Sequence, residues 1–373
     1  MRVLITGGAG FIGSHTADAL VDAGFDVRVF DNLDAQIHGS GKIWPEYMNK
    51  SVECVLGDIR DRAALRRALT DSDIVLHLAS LTGVGQSMYQ IGAYFDVNVQ
   101  GTATLLDILG NESHHVQKLI VASSRAIYGE GAYRCQLCGI VTPDPRPSTQ
   151  IDGKQWELTC PSCRSPVQTI LTSESTPSKP ASIYAITKLT QENMCLCFGK
   201  AYGMPVVALR YFNVFGPRQS FSNPYTGIIT AFLTRLFNGK APEIYEDGQM
   251  TRDFVHVSDV VQANLLAIEV AEAEGRAINV GTGVSTSVLT LAQTLCEMVS
   301  PDLEPKIVGV SRVGDIRHCN ADLGLARSCL GYTPRVPLQV GLQGVIEDAK
   351  QQARLEDRST DALRALVESG LLR

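Results

Sequence analysis

The sequence predicts an α/β chain: a doubly wound parallel sheet, a smaller discontinuous α/β lobe, and an insertion stapled by four cysteines. Three observations carry this prediction. An apolar run at residues 2–6 feeds into Gly7-Gly8-Ala9-Gly10-Phe11-Ile12-Gly13 and then an amphipathic stretch to residue 23, the order strand, glycine turn, helix. Further apolar runs alternate with helical stretches as far as Ser124, as in a parallel sheet covered on both faces. Four of the ten cysteines form two C-x-x-C pairs in one proline-rich stretch.

At 373 residues the chain is long enough for two domains or one large α/β unit. The formal charge is −6 and there is no long basic run, so neither a nucleic-acid partner nor an anionic membrane partner is expected. The first residues lack the apolar core of a signal peptide, and no run of about 18 apolar residues occurs. The expectation is a soluble, cytoplasmic protein.

The first strand is 2–6. In the turn that follows, Gly7, Gly10 and Gly13 let the backbone bend tightly and approach a pyrophosphate, held with Phe11 and Ile12 at the helix start. A second strand, 26–30, ends in Asp31-Asn32, close to the 20 or so residues beyond the glycines where a ribose-binding carboxylate is expected. Such a carboxylate repels a 2′-phosphate, which favours NAD over NADP. A third strand, 52–56, leads to Asp58-Ile59, where Asp58 meets the adenine amino group or caps the next helix. A fourth, 73–78, ends in Leu78-Ala79-Ser80. A long helix over 87–110 carries Asn98, and a fifth strand, 118–122, precedes Ser123-Ser124-Arg125. Ligands of such sheets bind beyond the carboxyl ends of the strands, which places Asn32, Ile59, Leu78, Ala79, Ser80 and Ser124 on the binding edge.

Beyond the insertion stands Tyr184-Ala185-Ile186-Thr187-Lys188. A tyrosine and a lysine four apart share one helix face. An ammonium beside a phenol favours the phenolate, lowering a pKa of about 10 toward the range of a general base. A sixth strand, 205–210, leads to Asn213 and Arg218 in Asn-Val-Phe-Gly-Pro-Arg, and a helix from Asn223-Pro-Tyr-Thr-Gly runs to 237. Segments 257–273 and 277–280 return to the sheet. The domains are therefore 1–211 with 255–280, carrying the insertion at 130–175; a lobe of 212–254 and 281–350; and a terminal helix and tail over 351–373.

Gly7-x-x-Gly10-x-x-Gly13, Asp31, Asn98, Ser124, Tyr184-x-x-x-Lys188 and Arg252-Asp253-Phe254-Val255-His256-Val257-x-Asp259 occur in this order. Over roughly residues 1–350 the chain resembles the extended short-chain dehydrogenase/reductase family, and within it the nucleotide-sugar epimerases. The stretch Ser-Arg-Ala-Ile-Tyr-Gly-Glu-Gly with its cysteine-bearing insertion looks most like the bacterial dTDP-L-rhamnose 4-epimerases. The resemblance implies NAD-dependent inversion of a nucleotide-diphosphate sugar at C4 through a transient 4-keto sugar. Ser124, Tyr184 and Lys188 are then catalytic, and Asn98, Tyr184 and Lys188 join the cofactor contacts. It also implies substrate contacts from Ser124, Tyr184, Asn213, Arg218, Asn223, Arg252 and Arg317, the two last holding nucleotide phosphates with a guanidinium fork. A homodimer through helices near 88–110 and 182–200 is implied as well. Dehydratases of the family carry acidic residues where this chain has Arg125 and Ala126, which disfavours dehydration. A 4-keto-sugar reductase and a non-catalytic NAD sensor with a docking module are the competing readings.

Ser124 and Tyr184 lie 60 positions apart, and the surplus over the few tens usual in the family falls at 133–172. It carries Cys135-x-x-Cys138 and Cys160-x-x-Cys163, separated by 21 residues, a spacing that forms a closed tetrahedral Cys₄ site for structural zinc. Two disulfides or four free thiols are the alternatives.

Overall fold

The computed structural model describes residues 1–221, 223, 225, 227–312, 314–351 and 367–371. Pro224 and Thr226 of the Asn-Pro-Tyr-Thr-Gly motif, and most of the predicted tail, lie outside the described residues.

Seven parallel strands form the main sheet, in the order Arg276–Val280, Val206–Tyr211, β5 (Lys118–Ser124), β4 (Ile74–His77), β1 (Arg2–Thr6), β2 (Asp26–Asp31), β3 (Glu53–Leu56). Val3, Leu4 and Ile5 of β1 are wholly buried, as a strand covered on both faces must be; each such side chain contributes about 1.5–3 kcal/mol by leaving water. One apolar cluster, with Val3, Val29 and Leu209, fills one side of the sheet, and another, with Leu4, Leu65 and Val206, fills the other. Successive strands run outward from β1 through β2 to β3, then resume on its other flank at β4. The loops after β1 and β4 therefore part at the switch point where such sheets bind ligands.

The predicted helix over 87–110 is broken. Short turns at Val84–Ser87 and Ile91–Tyr94 lead into a π-helical turn, Phe95–Gln100, and then helix Gly101–Asn111. Asn98 sits in that π turn and is fully buried; the extra residue per turn re-aims its side chain at the loop after β4. The fifth strand reaches two residues further than predicted, so Ser124 is its last residue, in register with Tyr211.

The smaller lobe packs helices Ile228–Phe237, Val288–Val299 and Leu338–Gln351 around Phe232, Leu233, Leu291, Leu295, Leu342 and Val345. The insertion is a three-stranded antiparallel sheet of three-residue strands, Gly139–Val141, Tyr133–Cys135 and Val167–Thr169. It fastens to the rest of the chain through backbone hydrogen bonds between Thr172 and Asn320 and Asp322, and through the charged side chains of Arg146 and Glu157.

Candidate active site

The glycine turn is held by contact and by one carboxylate. Gly7 has φ +70°, and a Cβ there would lie 2.7 Å from the Ala79 nitrogen. At Gly13 a Cβ would come within 2.6 Å of Gly7 O and Gly8 Cα. Asp31, at the end of β2, accepts hydrogen bonds from the backbone N–H groups of Ala9 (3.0 Å) and Leu33 (2.9 Å), and burial pushes its carboxyl pKa up. Gly10 differs from its neighbours. Its φ is −70°, and Gly7 O, at 3.4 Å, is the one atom a Cβ would approach. The fold does not require glycine there. The twelve-residue helix Phe11–Asp22 (α1) starts at Gly10 with no side-chain cap and no acidic residue in its first turn, so its N–H groups face the crevice ready for an anion. This arrangement fits a dinucleotide pyrophosphate.

Asn32 donates to Asp58 (3.0 Å), and Arg60 grips both Asp58 oxygens at 2.8 Å, holding that carboxyl well below the usual range. The helix cap is Asp61, which accepts from Ala63 and Ala64, so the capping alternative for Asp58 does not hold. Ile59 is buried against Gly101. Asn98 binds the Leu81 backbone in both directions (2.8 and 3.1 Å) and donates to Thr187 (2.9 Å). Its amide thus ties the Leu78-Ala79-Ser80 loop to the tyrosine-bearing helix.

That helix, Ile183–Tyr202, is capped by Ser182, which accepts from Ala185 N at 3.1 Å. Tyr184 is on its first turn, its N–H donating to Ser87 Oγ (3.0 Å) and its ring edge-on to Tyr94. Ser124, the last residue of β5, accepts from Ala126 N (3.2 Å) and lies close enough to the phenol to influence its pKa. Burial raises the phenol pKa, while the nearby Ser124 hydroxyl and the positive charge of Arg125 pull it down; the net direction is up.

Lys188 departs from expectation. It is buried, burial draws its pKa down to about 7, and its Nζ donates to Gln191 Oε1 at 3.0 Å. Gln191 in turn donates to Thr102 (2.8 Å), which contacts His77, itself bonded to Thr6. Lys188 is therefore engaged by a buried polar row, and Arg125 contributes a positive charge that acts on the phenol.

The substrate candidates differ in what they contact. Asn213 Oδ1 is buried without a hydrogen-bond partner. Arg252 is buried, bonded only to the carbonyls of Thr251, Ile316 and Arg317, and has no carboxylate partner among the described residues. Burial, aided by nearby Arg125, lowers it to about 10. Asn223 accepts from Gln36 (3.0 Å), which exchanges hydrogen bonds with Gln86, bridging the lobe to the sheet domain. Arg218 stands elsewhere: it pairs with Asp18 (2.7 Å) and lies over Tyr47, whose hydroxyl binds Ala9 O in the glycine turn.

Arg317 is not open to a substrate. It is 0% exposed, and its guanidinium is saturated by Glu157 (2.5 and 2.9 Å), Asp247 (2.6 and 2.8 Å) and Glu246 (3.1 Å). Sequence reasoning gave Arg317 a phosphate-holding role for which these partners leave no donor free. Arg312, which it missed, has a buried Nε without a partner and lies over the Tyr245 ring. The signal was present: Arg312 and Arg317 flank the same turn, but the acidic residues that consume Arg317 are distant in sequence.

The four cysteines converge. Their sulfurs all lie within 4.8 Å of one another, with Cys135 and Cys163 at 3.5 Å, and all four are free thiols. Tetrahedral zinc–sulfur bonds of about 2.3 Å require sulfurs about 3.8 Å apart, which this cluster accommodates.

The sequence model of the NAD dependent epimerase/dehydratase family matches residues 3–149 and 160–281. The chain is 36% identical over 346 residues to a dTDP-L-rhamnose 4-epimerase of Burkholderia thailandensis, covering 91% of this chain and 93% of that one. It is similar to the crystal structure of the Thermotoga maritima UDP-glucose 4-epimerase with UDP-glucose: TM-score 0.76, 32% identity, 94% of this chain and 99% of that one. The Thermus thermophilus UDP-glucose 4-epimerase in complex with NAD gives a TM-score of 0.75 at 29% identity, covering 95% and 100%. On this coverage and on the residues assembled at the strand ends, the chain belongs to the NAD dependent epimerase/dehydratase family.

Proposed function

We propose that the protein is an NAD-dependent nucleotide-sugar 4-epimerase, acting on a dTDP-L-rhamnose-type or UDP-hexose-type substrate. The observation that carries this reading is the placement of Ser124, last residue of β5, and Arg125 beside the Tyr184 phenol, where both act to lower its pKa, next to a glycine turn shaped for a dinucleotide. Gly7, Gly10 and Gly13 with the N–H groups of α1 would hold the pyrophosphate. Asp31 would hold the adenosine ribose and Lys188 the nicotinamide ribose. When bound, NAD supplies a hydride acceptor that is restored within each turnover, so inversion through a 4-keto sugar consumes no net cofactor.

The protein's own part is proton handling and orientation. Tyr184 takes the proton of the sugar hydroxyl on its phenol oxygen and later returns it. Ser124 hydrogen-bonds the reacting oxygen, and Arg125 stabilises the phenolate while the proton is away. Arg252 and Arg312 offer guanidinium donors for the diphosphate, and the unpartnered Asn213 Oδ1 offers an acceptor to a substrate hydroxyl. Arg125 and Ala126 provide no acid to expel water, which favours epimerisation over dehydration.

We further propose structural zinc at Cys135, Cys138, Cys160 and Cys163, a sheet domain and sugar-binding lobe divided near residue 211, and a cytoplasmic homodimer. Exposed Ile91, Phe95 and Ile186 lie on the segments such a dimer would bury. The test is a panel of nucleotide sugars incubated without added NADH. Isomerised product supports the epimerase, product only with NADH points to a reductase, and no product to a sensor. Tyr184→Phe should abolish turnover with NAD still bound; undiminished activity would rule the scheme out.

A further inference from the structure

Lys188 joins the sheet domain's polar interior through one side chain. Its Nζ donates to Gln191 Oε1 (3.0 Å), its one side-chain hydrogen bond among the described residues, and the Gln191 amide donates onward to Thr102 Oγ1 (2.8 Å). Thr102 spends its own proton on the Asn98 carbonyl (2.6 Å). Towards His77 Nε2, at 2.9 Å, it is therefore an acceptor. His77 then carries its proton on Nε2 and takes the Thr6 hydroxyl proton at Nδ1 (2.8 Å). Gln191 Nε2 and His77 Nε2, 3.4 Å apart, are both donors and share the Thr102 oxygen. The Thr6 oxygen accepts from Ala79 N at 3.3 Å. Thr6, His77, Thr102, Gln191 and Lys188 are 0–3% exposed, and burial keeps His77 neutral, with its pKa drawn down to about 3.

One end of this row is the nucleotide edge, since Thr6 closes β1 directly before Gly7 and Ala79 packs on that glycine. The other end is Lys188, with Gln191 three residues on and on the same helix face. Thr102 keeps Asn98 and His77 whatever stands at 191, and His77 keeps Thr102 and Thr6. Lys188 alone depends on Gln191. An ammonium only donates, so it selects the amide oxygen and fixes which way the Gln191 amide faces. One of its three N–H groups is spent there. A buried charge with two unspent donors is costly unless a further acceptor takes them.

We propose that Gln191 is a positioning residue for the cofactor: pinned by Thr102, its amide oxygen holds the Lys188 ammonium and leaves two N–H groups for the hydroxyls of the nicotinamide ribose. The proposal rests on the NAD-dependent reading above. The charge it holds is finely balanced. Burial lowers the Lys188 pKa to about 7, with Cys195 and Glu192 of its own helix acting the other way. Glu192 is paired with Arg210 (2.6 Å), His77 faces the row from β4 as a neutral ring, and Tyr184 stands one turn before. Removing the amide oxygen lowers the ammonium pKa, and a carboxylate in its place raises it.

The test compares Gln191→Met, which keeps the length and removes the oxygen, with Gln191→Glu, which replaces the amide by a carboxylate, both in the full-length protein. Calorimetry measures NAD⁺ affinity over a pH series spanning neutrality. In wild type, affinity should fall as rising pH takes the proton from Lys188. Gln191→Met should bind NAD⁺ about tenfold more weakly near neutrality and show that fall about one pH unit lower, whereas Gln191→Glu should show it at higher pH than wild type. A disturbed core does not move the two variants in opposite directions. Shifts of the same sign, or a fall unmoved in both, would overturn the assignment. If Gln191→Met fails to fold, the sign of the Gln191→Glu shift carries the comparison. A wild type that binds NAD⁺ yet epimerises no nucleotide sugar would overturn the enzymatic reading, while the affinity series still decides the role of Gln191.

Discussion

Glu157, on the cysteine-bearing insertion, and Arg317, on the turn that carries Arg312, are joined by contacts of 2.5 and 2.9 Å. The guanidinium between them and Asp247 is wholly buried, so this arginine acts as a clamp between the insertion and the lobe. Arg317→Ala should cost about 1.5–3 kcal/mol through lost charged hydrogen bonds, since Glu157 and Asp247 are open to water and buried Glu246 keeps Arg146 as its partner. Urea unfolding checks this. A variant of normal stability whose KM alone had risen would return Arg317 to the substrate.

Arg125 gives the phenol its positive neighbour. Burial holds the Tyr184 pKa up, and Ser124 and Arg125 act against burial. Removing a cation that favours the phenolate raises the pKa further. The base then becomes active only at higher pH, so Arg125→Ala should shift the acid limb of the kcat/KM profile upward, while Arg125→Lys keeps most of the wild-type profile. An acid limb that stays in place in Arg125→Ala would mean the charge does not reach the phenol.

These two residues mark where sequence was readable and where it was not. Strand ends, glycine turn and the Tyr184 helix were legible because each is a local pattern: period, turn chemistry and spacing write them over a few residues. The convergence of the C-x-x-C pairs was legible for the same reason. Arg317 was misread because its three acidic partners come from positions 157, 246 and 247, and no local rule links them. The surroundings of Lys188 were hidden for a related reason. Spacing put Lys188 and Tyr184 on one face, but the acceptor on Gln191, one turn further, engages the ammonium. The π turn at Asn98 was also invisible, since helical periodicity does not report one extra residue.

Gly10 and Gly13 offer a contrast within a single turn. Ala at 13 would put a methyl 2.6 Å from backbone atoms of Gly7 and Gly8, so Gly13→Ala should distort the turn and lower both melting temperature and NAD content. Ala at 10 meets nothing nearer than 3.4 Å, so Gly10→Ala should fold normally yet lose NAD, because its methyl occupies the side the pyrophosphate would approach. Full NAD retention in a folded Gly10→Ala protein would move the pyrophosphate off this turn.

The cysteine cluster yields a prediction with an order to it. Strands of three residues cannot stabilise the insertion unaided, so the protein as purified should carry one zinc per chain by elemental analysis. Stripping it with a chelator, or replacing Cys160 by Ser, frees the module that holds Glu157 and Arg146 against the lobe. Those residues grip the turn bearing Arg312, whereas among the described residues no hydrogen bond or ion pair joins the module to the glycine turn, Asp31 or Lys188. Metal loss should therefore raise KM for the nucleotide sugar while NAD stays bound. A metal-free protein with unaltered KM and melting temperature would show that the four thiols need no ion. Loss of NAD in step with the metal would mean the module supports the whole fold rather than the substrate side alone.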